Sequence, residues 1–330
     1  MLILMRQNLV ITVSAILLVL LGGMIDRYLL NAHEDDKGGQ VREIGDYRFI
    51  NPLLECEVAE GRIDARKTNF KSELEKVVTQ IKRDTGVAQM AVYYRDLNNG
   101  PAFGVNESER FIPASLLKVP VMMAYYNWSE QEEGVLGRML RVTKHYDLNE
   151  AGRQVIAPSQ EIKVGEEYSV ERLIEQMILY SDNQAVTLLI ESIPPKYIRD
   201  LYRVLSVPDD VLNGPNGGLT VREYASFFRI LFNASYLDRN LSERALALLS
   251  RTTFTSGLVH GVPEGTVVSH KFGEAGFEDD HQVHDCGIVY YPEHPYLLCV
   301  MSRGATIEQL ESSIAQISTF VWNQVDQQHH

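Results

Sequence analysis

The sequence predicts an α+β protein, an antiparallel sheet flanked by helices with an all-helical block inserted between its early and late strands. Three observations predict this. Strand character appears early, at Val87–Leu97 and Ala102–Val105, and returns late, at Thr266–Lys271, Gly287–Tyr291 and Tyr296–Met301. The stretch between them, from about 113 to 250, is mainly helical. The chain then closes on an amphipathic helix through Ile307, Leu310, Ile314, Ile317 and Val321. Early and late strands share a core only if they pair, so this plan packs the two ends of the domain together.

Taken in order, the chain opens on an uncharged run from Leu9 to Ile25, with Arg6 before it and Asp26-Arg27 after it. Its length sits at the short end of the roughly 17–25 residues that span a bilayer. It exceeds the apolar core of about 7–15 residues in a typical secretion signal, and no clean small-x-small cleavage site follows. Residues 1–30 therefore read as a signal anchor, single-pass, with the Arg6 end in the cytoplasm. A cleaved secretion signal is the alternative, and either one places the bulk of the chain outside the cytoplasm. Residues 31–69 are polar and irregular and read as a stalk. Residues 70–325 read as one globular domain. Its first helix carries Phe70, Leu74, Val77, Val78 and Ile81 on one face and stops before Gly86. Val87–Leu97 follows, rich in β-branched and aromatic residues, with Asn98-Asn99-Gly100 as its turn. Thr220–Asn233 and Ser242–Ser250 add helices late in the inserted block.

A formal net charge of −13 with no compact basic patch excludes binding to a phosphate backbone, so nucleic acid is not a partner. The three cysteines, Cys56, Cys286 and Cys299, have no metal-ligand spacing, and an odd number leaves at least one thiol outside any intrachain pair. Cys286 and Cys299 fall on neighbouring predicted strands. They read first as small buried hydrophobes, with a disulfide as the alternative. No metal or cofactor is called for, and oligomeric state is not legible.

The chemistry rests on three short motifs. Ser115 and Lys118 stand three apart at the start of a helix that follows Pro113-Ala114, so the lysine nitrogen can reach the serine hydroxyl. A lysine whose pKa is depressed by burial or by another cation can serve as the base a serine nucleophile needs. Ser181-Asp182-Asn183 lies between two apolar helical runs, where Asp182 would cap the second. His270-Lys271-Phe272-Gly273 ends a predicted strand, offering a cation beside a small residue. Read singly, these are a helix start, a helix connector and a strand end.

In this order and context the three motifs resemble those of the penicillin-recognising serine hydrolases, the class A β-lactamases and penicillin-binding proteins. The resemblance runs from about Phe70 to Val325 and is closest to the class A catalytic domain. It implies a β-lactamase/transpeptidase-like fold. It also implies that Ser115 is the acylated nucleophile and that Lys118 helps deprotonate it. Ser181 relays a proton to the leaving nitrogen, and Lys271 supports that relay and the substrate carboxylate. Asn183 holds the substrate amide, and the backbone N–H groups of Ser115 and Glu274, the residue after Gly273, form the oxyanion hole. Substrates would be β-lactams or peptidoglycan-like peptides.

Two departures from the family pattern stand out. Phe272 replaces the usual Thr or Ser whose hydroxyl binds the substrate carboxylate, and no Arg occurs between Gly273 and Tyr296. The family's Glu-x-x-Leu-Asn loop, whose Glu activates the deacylating water, has no counterpart with a Glu between Ile193 and Leu219. Asp209 or Asp210, just before Val211-Leu212-Asn213, is the shortened alternative. Glu166 and Glu167 lie before Ser181 and read as a solvated turn. Slow deacylation is the expectation. A D,D-peptidase, another ester or amide hydrolase, and a non-catalytic wall-binding protein on the same scaffold are the alternatives. The acidic run from Glu278 to Asp285 reads as a solvated loop, with a cation site or a cover for the cleft as its alternatives.

Overall fold

A five-stranded antiparallel sheet is the spine of the computed structural model, which describes residues 40–42, 46–56, 65–98, 100–146, 156–207, 217–277, 280–304 and 306–329. In chain order the elements are β1 (Gln40–Arg42), β2 (Leu53–Cys56), α1 (Ala65–Asp84), β3 (Val87–Asp96) and β4 (Ala102–Val105). A 3₁₀ turn (Ala114–Leu117) then runs into α2 (Lys118–Gln131), followed by β5 (Met139–Arg141), β6 (Glu167–Ser169), α3 (Val170–Leu179), α4 (Asn183–Ser192) and α5 (Pro195–Val204). Next come α6 (Val221–Phe232), α7 (Arg239–Leu249), β7 (Val268–Phe277), β8 (Asp280–Val289), β9 (Tyr296–Gly304) and α8 (Ile307–His329). The chain divides into two units, residues 1–41 with 54–61 and residues 42–53 with 62–330. The sheet and every helix above lie in the second.

The large sheet has the order β4-β3-β9-β8-β7, so the first and last strands of the domain pair at its centre, Val92 opposite Val300. This is the expected α+β plan. Alternation along β3 divides the core in two. Met90, Val92 and Tyr94 face Phe70, Leu74, Val78 and Ile81 of α1 and Leu310, Ile314, Ile317 and Val321 of α8. Ala91 and Tyr93 face the inserted helical block. That block is helical as expected, apart from the small β5-β6 ladder. Glu167 lies in that ladder and is exposed, as is Glu166 just before it. α6 is the best-specified helix locally. Thr220 and Glu223 form a reciprocal capping box, each side chain accepting the other's backbone N–H.

Three findings differ from the sequence reading. The acidic run is not a loop where it is described: Asp280–Val289 is strand β8, and Val283, His284, Asp285 and Cys286 are all buried. Both faces of that strand are covered, so polar residues are buried beside apolar ones and the alternation that marks a half-exposed strand is missing. Among the described residues no cluster of His, Cys, Asp or Glu is arranged to hold a metal ion. Cys286 and Cys299 are register partners on β8 and β9 and form a disulfide, where buried thiols were the first reading. Finally, residues 46–53, within the segment read as a stalk, pack on the domain. Phe49 and Ile50 are buried, and the Glu243 carboxylate accepts the N–H groups of Arg48, Phe49 and Ile50. The apolar run of residues 9–25 lies outside the described residues, and among those described no helix is long and apolar enough to cross a membrane.

Candidate active site

The nucleophile candidate sits on a strained turn. Ala114 adopts φ +46°, a left-handed conformation costly for a residue with a Cβ, and the 3₁₀ turn it opens feeds directly into α2. The turn is held on two sides. Leu116 N donates to Pro113 O at 2.9 Å, and the Tyr224 hydroxyl of α6 donates to Leu116 O at 3.0 Å. Strand β7 passes so close that a Cβ on Gly273 would lie 2.9 Å from both Pro113 O and Leu116 Cγ. Any larger residue at 273 would force the strand or the turn carrying Ser115 to shift.

Ser181 is the second strained residue, with φ +58° and almost no exposure. What holds it there is Asp182, whose carboxylate caps α4 by accepting Gln184 N at 2.7 Å and Ala185 N at 3.1 Å. The other oxygen of the same carboxylate accepts Ile162 N at 2.9 Å. This is the capping role expected of Asp182, with a loop clamp added. Gln184, one turn of chain on, exchanges two hydrogen bonds with the backbone of Tyr146.

Lys118 joins the two serines. Its Nζ lies 2.9 Å from Ser115 Oγ, 3.0 Å from Ser181 Oγ, 2.6 Å from Ser181 O and 2.6 Å from Asn183 Oδ1. Lys271 approaches the same hydroxyl from β7, with Nζ 3.1 Å from Ser181 Oγ and 3.0 Å from Phe272 O. Both lysines are buried, and this sets their protonation. Burial pushes Lys118 well below the ordinary lysine value, the Lys271 ammonium pushes the same way, and Asp182 and Glu274 oppose it. Burial also lowers Lys271, to about 7, against the pull of Asp285 and Glu274. The arrangement can thus hold a neutral amine against a serine hydroxyl near neutral pH. Ser115, Lys118, Ser181, Asn183, Lys271 and Gly273 are all brought together.

Five side chains here were not singled out as site residues in the sequence. Glu274 was chosen only for its backbone, yet its buried carboxylate accepts Ile156 N at 2.8 Å. Asp285 accepts from Leu258 N at 2.9 Å and lies 2.8 Å from His270 Nδ1, whose Nε2 is 2.7 Å from Thr252 Oγ1. Phe254 stacks on Phe272 with ring centroids 4.1 Å apart and an interplanar angle of 16°. None of these contacts has a motif, because they join segments distant in sequence. Asp209, Asp210 and Asn213, the alternative deacylation set, lie outside the described residues.

The chain and its fold are similar to several known proteins. The chain is 25% identical over 287 residues to the extended-spectrum β-lactamase PER-1 of Pseudomonas aeruginosa, covering 81% of this chain and 90% of that protein. Its fold matches a class A β-lactamase from Mycobacterium abscessus with a TM-score of 0.64 at 24% identity, covering 77% of this chain and 99% of the other. It matches equally, with a TM-score of 0.64 at 19% identity over 79% and 97% of the two chains, a mutant of PBP-A solved as an acyl-enzyme complex with penicillin G. Residues 69–325 match the family model for the β-lactamase enzyme family, and with that span covered, the chain belongs to this family.

Proposed function

We propose that the protein is a serine hydrolase that forms an acyl-enzyme through Ser115 with β-lactams or peptidoglycan-like peptides. The observation that carries this reading is Lys118 Nζ standing between Ser115 Oγ and Ser181 Oγ, with Lys271 on the far side of Ser181. Neutral Lys118 takes the Ser115 proton as Oγ attacks the carbonyl carbon. Ser181 passes a proton to the departing nitrogen, and the two lysines exchange that proton through its hydroxyl. The N–H groups of Ser115 and Glu274 stabilise the oxyanion, and the Asn183 amide orients the substrate. The acyl-enzyme trapped in PBP-A with penicillin G supports the covalent step by likeness of fold. Without a Glu in the 193–219 segment, deacylation is slow. The placement outside the cytoplasm, with the N-terminal run as a membrane anchor, is supported by the Cys286–Cys299 disulfide, since such bonds persist in oxidising compartments.

Fluorescent penicillin at high concentration should label the wild-type chain covalently, and Ser115→Ala should abolish the label. A folded wild-type domain that takes no label, or a Ser115→Ala variant that still does, would overturn the reading. Phe272 favours a second reading within the same chemistry, an ester or amide hydrolase whose substrate carries no carboxylate.

A further inference from the structure

The Lys271 ammonium carries three N–H donors. In this structure one points to Ser181 Oγ at 3.1 Å and one to Phe272 O at 3.0 Å. The remaining direction meets the face of the Phe272 ring, whose centroid lies 4.1 Å from Nζ, well inside the range of a cation–π contact. The lysine that would greet an anionic substrate is therefore saturated by the protein itself. Phe272 adds to this by bringing no hydroxyl to the position where one would bind a carboxylate. Strand β8, which pairs with β7 along this edge, has neither Arg nor Lys from Asp280 to Val289. The lowered pKa of Lys271 weakens its pull on an anion further at neutral pH.

The ring is also fixed in place. Phe254 stacks on it, and both rings are buried. The segment that carries Phe254 is clamped on either side, by Thr252 on His270 and by Leu258 N on Asp285. His270 in turn is hydrogen bonded to Asp285. Three hydrogen bonds thus hold the segment whose Phe254 ring lies against Phe272.

We propose that Phe272, backed by Phe254, is a specificity-determining residue that turns the site away from acyl donors bearing a carboxylate beside the scissile bond and toward donors with an uncharged ester or amide there. This rests on Ser115 being the acylated nucleophile. In the reaction concerned, a bond forms between Ser115 Oγ and the acyl carbon while the acyl C–N bond breaks. The serine proton ends on the nitrogen, so no further reactant is needed.

The test compares benzylpenicillin with its methyl ester, which differ only in that carboxylate. Acylation is followed by intact mass, with each compound's spontaneous hydrolysis measured in buffer. Desolvating a carboxylate in a site that gives it no partner costs more than burying its neutral ester, by an amount worth about tenfold or more in rate, so the ester should acylate the wild-type chain at least about tenfold faster than the acid. Phe272→Thr should move the ratio by a similar factor toward the acid. If the free acid acylates wild type as fast as the ester or faster, the specificity proposal fails while the acyl-enzyme reading stands. If neither compound forms an adduct on Ser115, the acyl-enzyme reading itself fails, and this proposal with it. The wild-type ratio decides the matter even if Phe272→Thr does not fold.

Discussion

At the scale of single residues, the site works by placing two lysines on one hydroxyl in a buried setting. Nζ of Lys118 and Nζ of Lys271 are 3.0 and 3.1 Å from Ser181 Oγ. Two ammonium groups so close repel, and burial penalises both charges, so one of them gives up its proton far below the usual lysine pKa. Lys118 feels both effects. Replacing it with Ala removes the base, and acylation should fall by about 10²- to 10⁴-fold as read by rate of adduct formation. Lys271→Met has a subtler effect. It removes the charge that lowers Lys118, so the Lys118 pKa rises and the neutral amine appears only at higher pH. The acid limb of the acylation rate profile should therefore move upward in pH, and an unmoved limb would show that Lys271 does not set the state of Lys118. Gly273 is a residue-scale requirement of another kind. An added methyl would meet Pro113 O and Leu116 Cγ at 2.9 Å, and Gly273→Ala should cost about 1–3 kcal/mol, measured by urea unfolding.

Elements explain how these residues are held. The inserted helices supply a rigid wall in which α2 and α4 start at Lys118 and Asn183, with β7 closing the third side. Asp182 links the cap of α4 to the backbone at Ile162, so Asp182→Ala frees one helix end and one loop together. A loss of about 1–2 kcal/mol is expected from the cap alone, visible in the unfolding midpoint. Much of this level was legible in sequence. The apolar period through Phe70, Leu74, Val78 and Ile81 gave α1, and the turn residues around Asp182 gave the start of α4, because both signals are local. What was not legible was long-range. Asp285 lay in an acidic run that resembles a surface loop, yet it is the buried partner of His270 and Leu258 N. Phe254 sits between helix and strand with no period around it, so nothing in the chain announced that it would stack on Phe272. The three motifs could be found because each is a few residues long. The side chains that tune them come from segments whose meeting only the fold reveals.

At the scale of the whole molecule, the domain is closed by contacts that tie its early chain to its late chain. Val92 of β3 pairs with Val300 of β9, and the strap of residues 46–53 is fastened by Glu243 and by the Tyr290 hydroxyl, which donates to Phe49 O at 2.9 Å. Glu243→Gln keeps one acceptor oxygen but loses the charge and the second acceptor for successive N–H groups. Its unfolding free energy should drop by about 1–3 kcal/mol. The disulfide adds a covalent clasp across β8 and β9 at a sequence separation of 13. A loop of that size is worth about 3 kcal/mol in the unfolded chain, so a reductant should lower the unfolding midpoint measurably. All of this serves to hold one pocket of proton-sharing groups in register, and the central claim is that this pocket acylates on Ser115. Intact mass of the protein incubated with benzylpenicillin, followed over time with peptide mapping, tests it most directly. The account predicts a single adduct of penicillin mass on Ser115 that persists for many minutes after free drug is removed. Absence of an adduct from the folded protein, or an adduct that maps elsewhere, would contradict it.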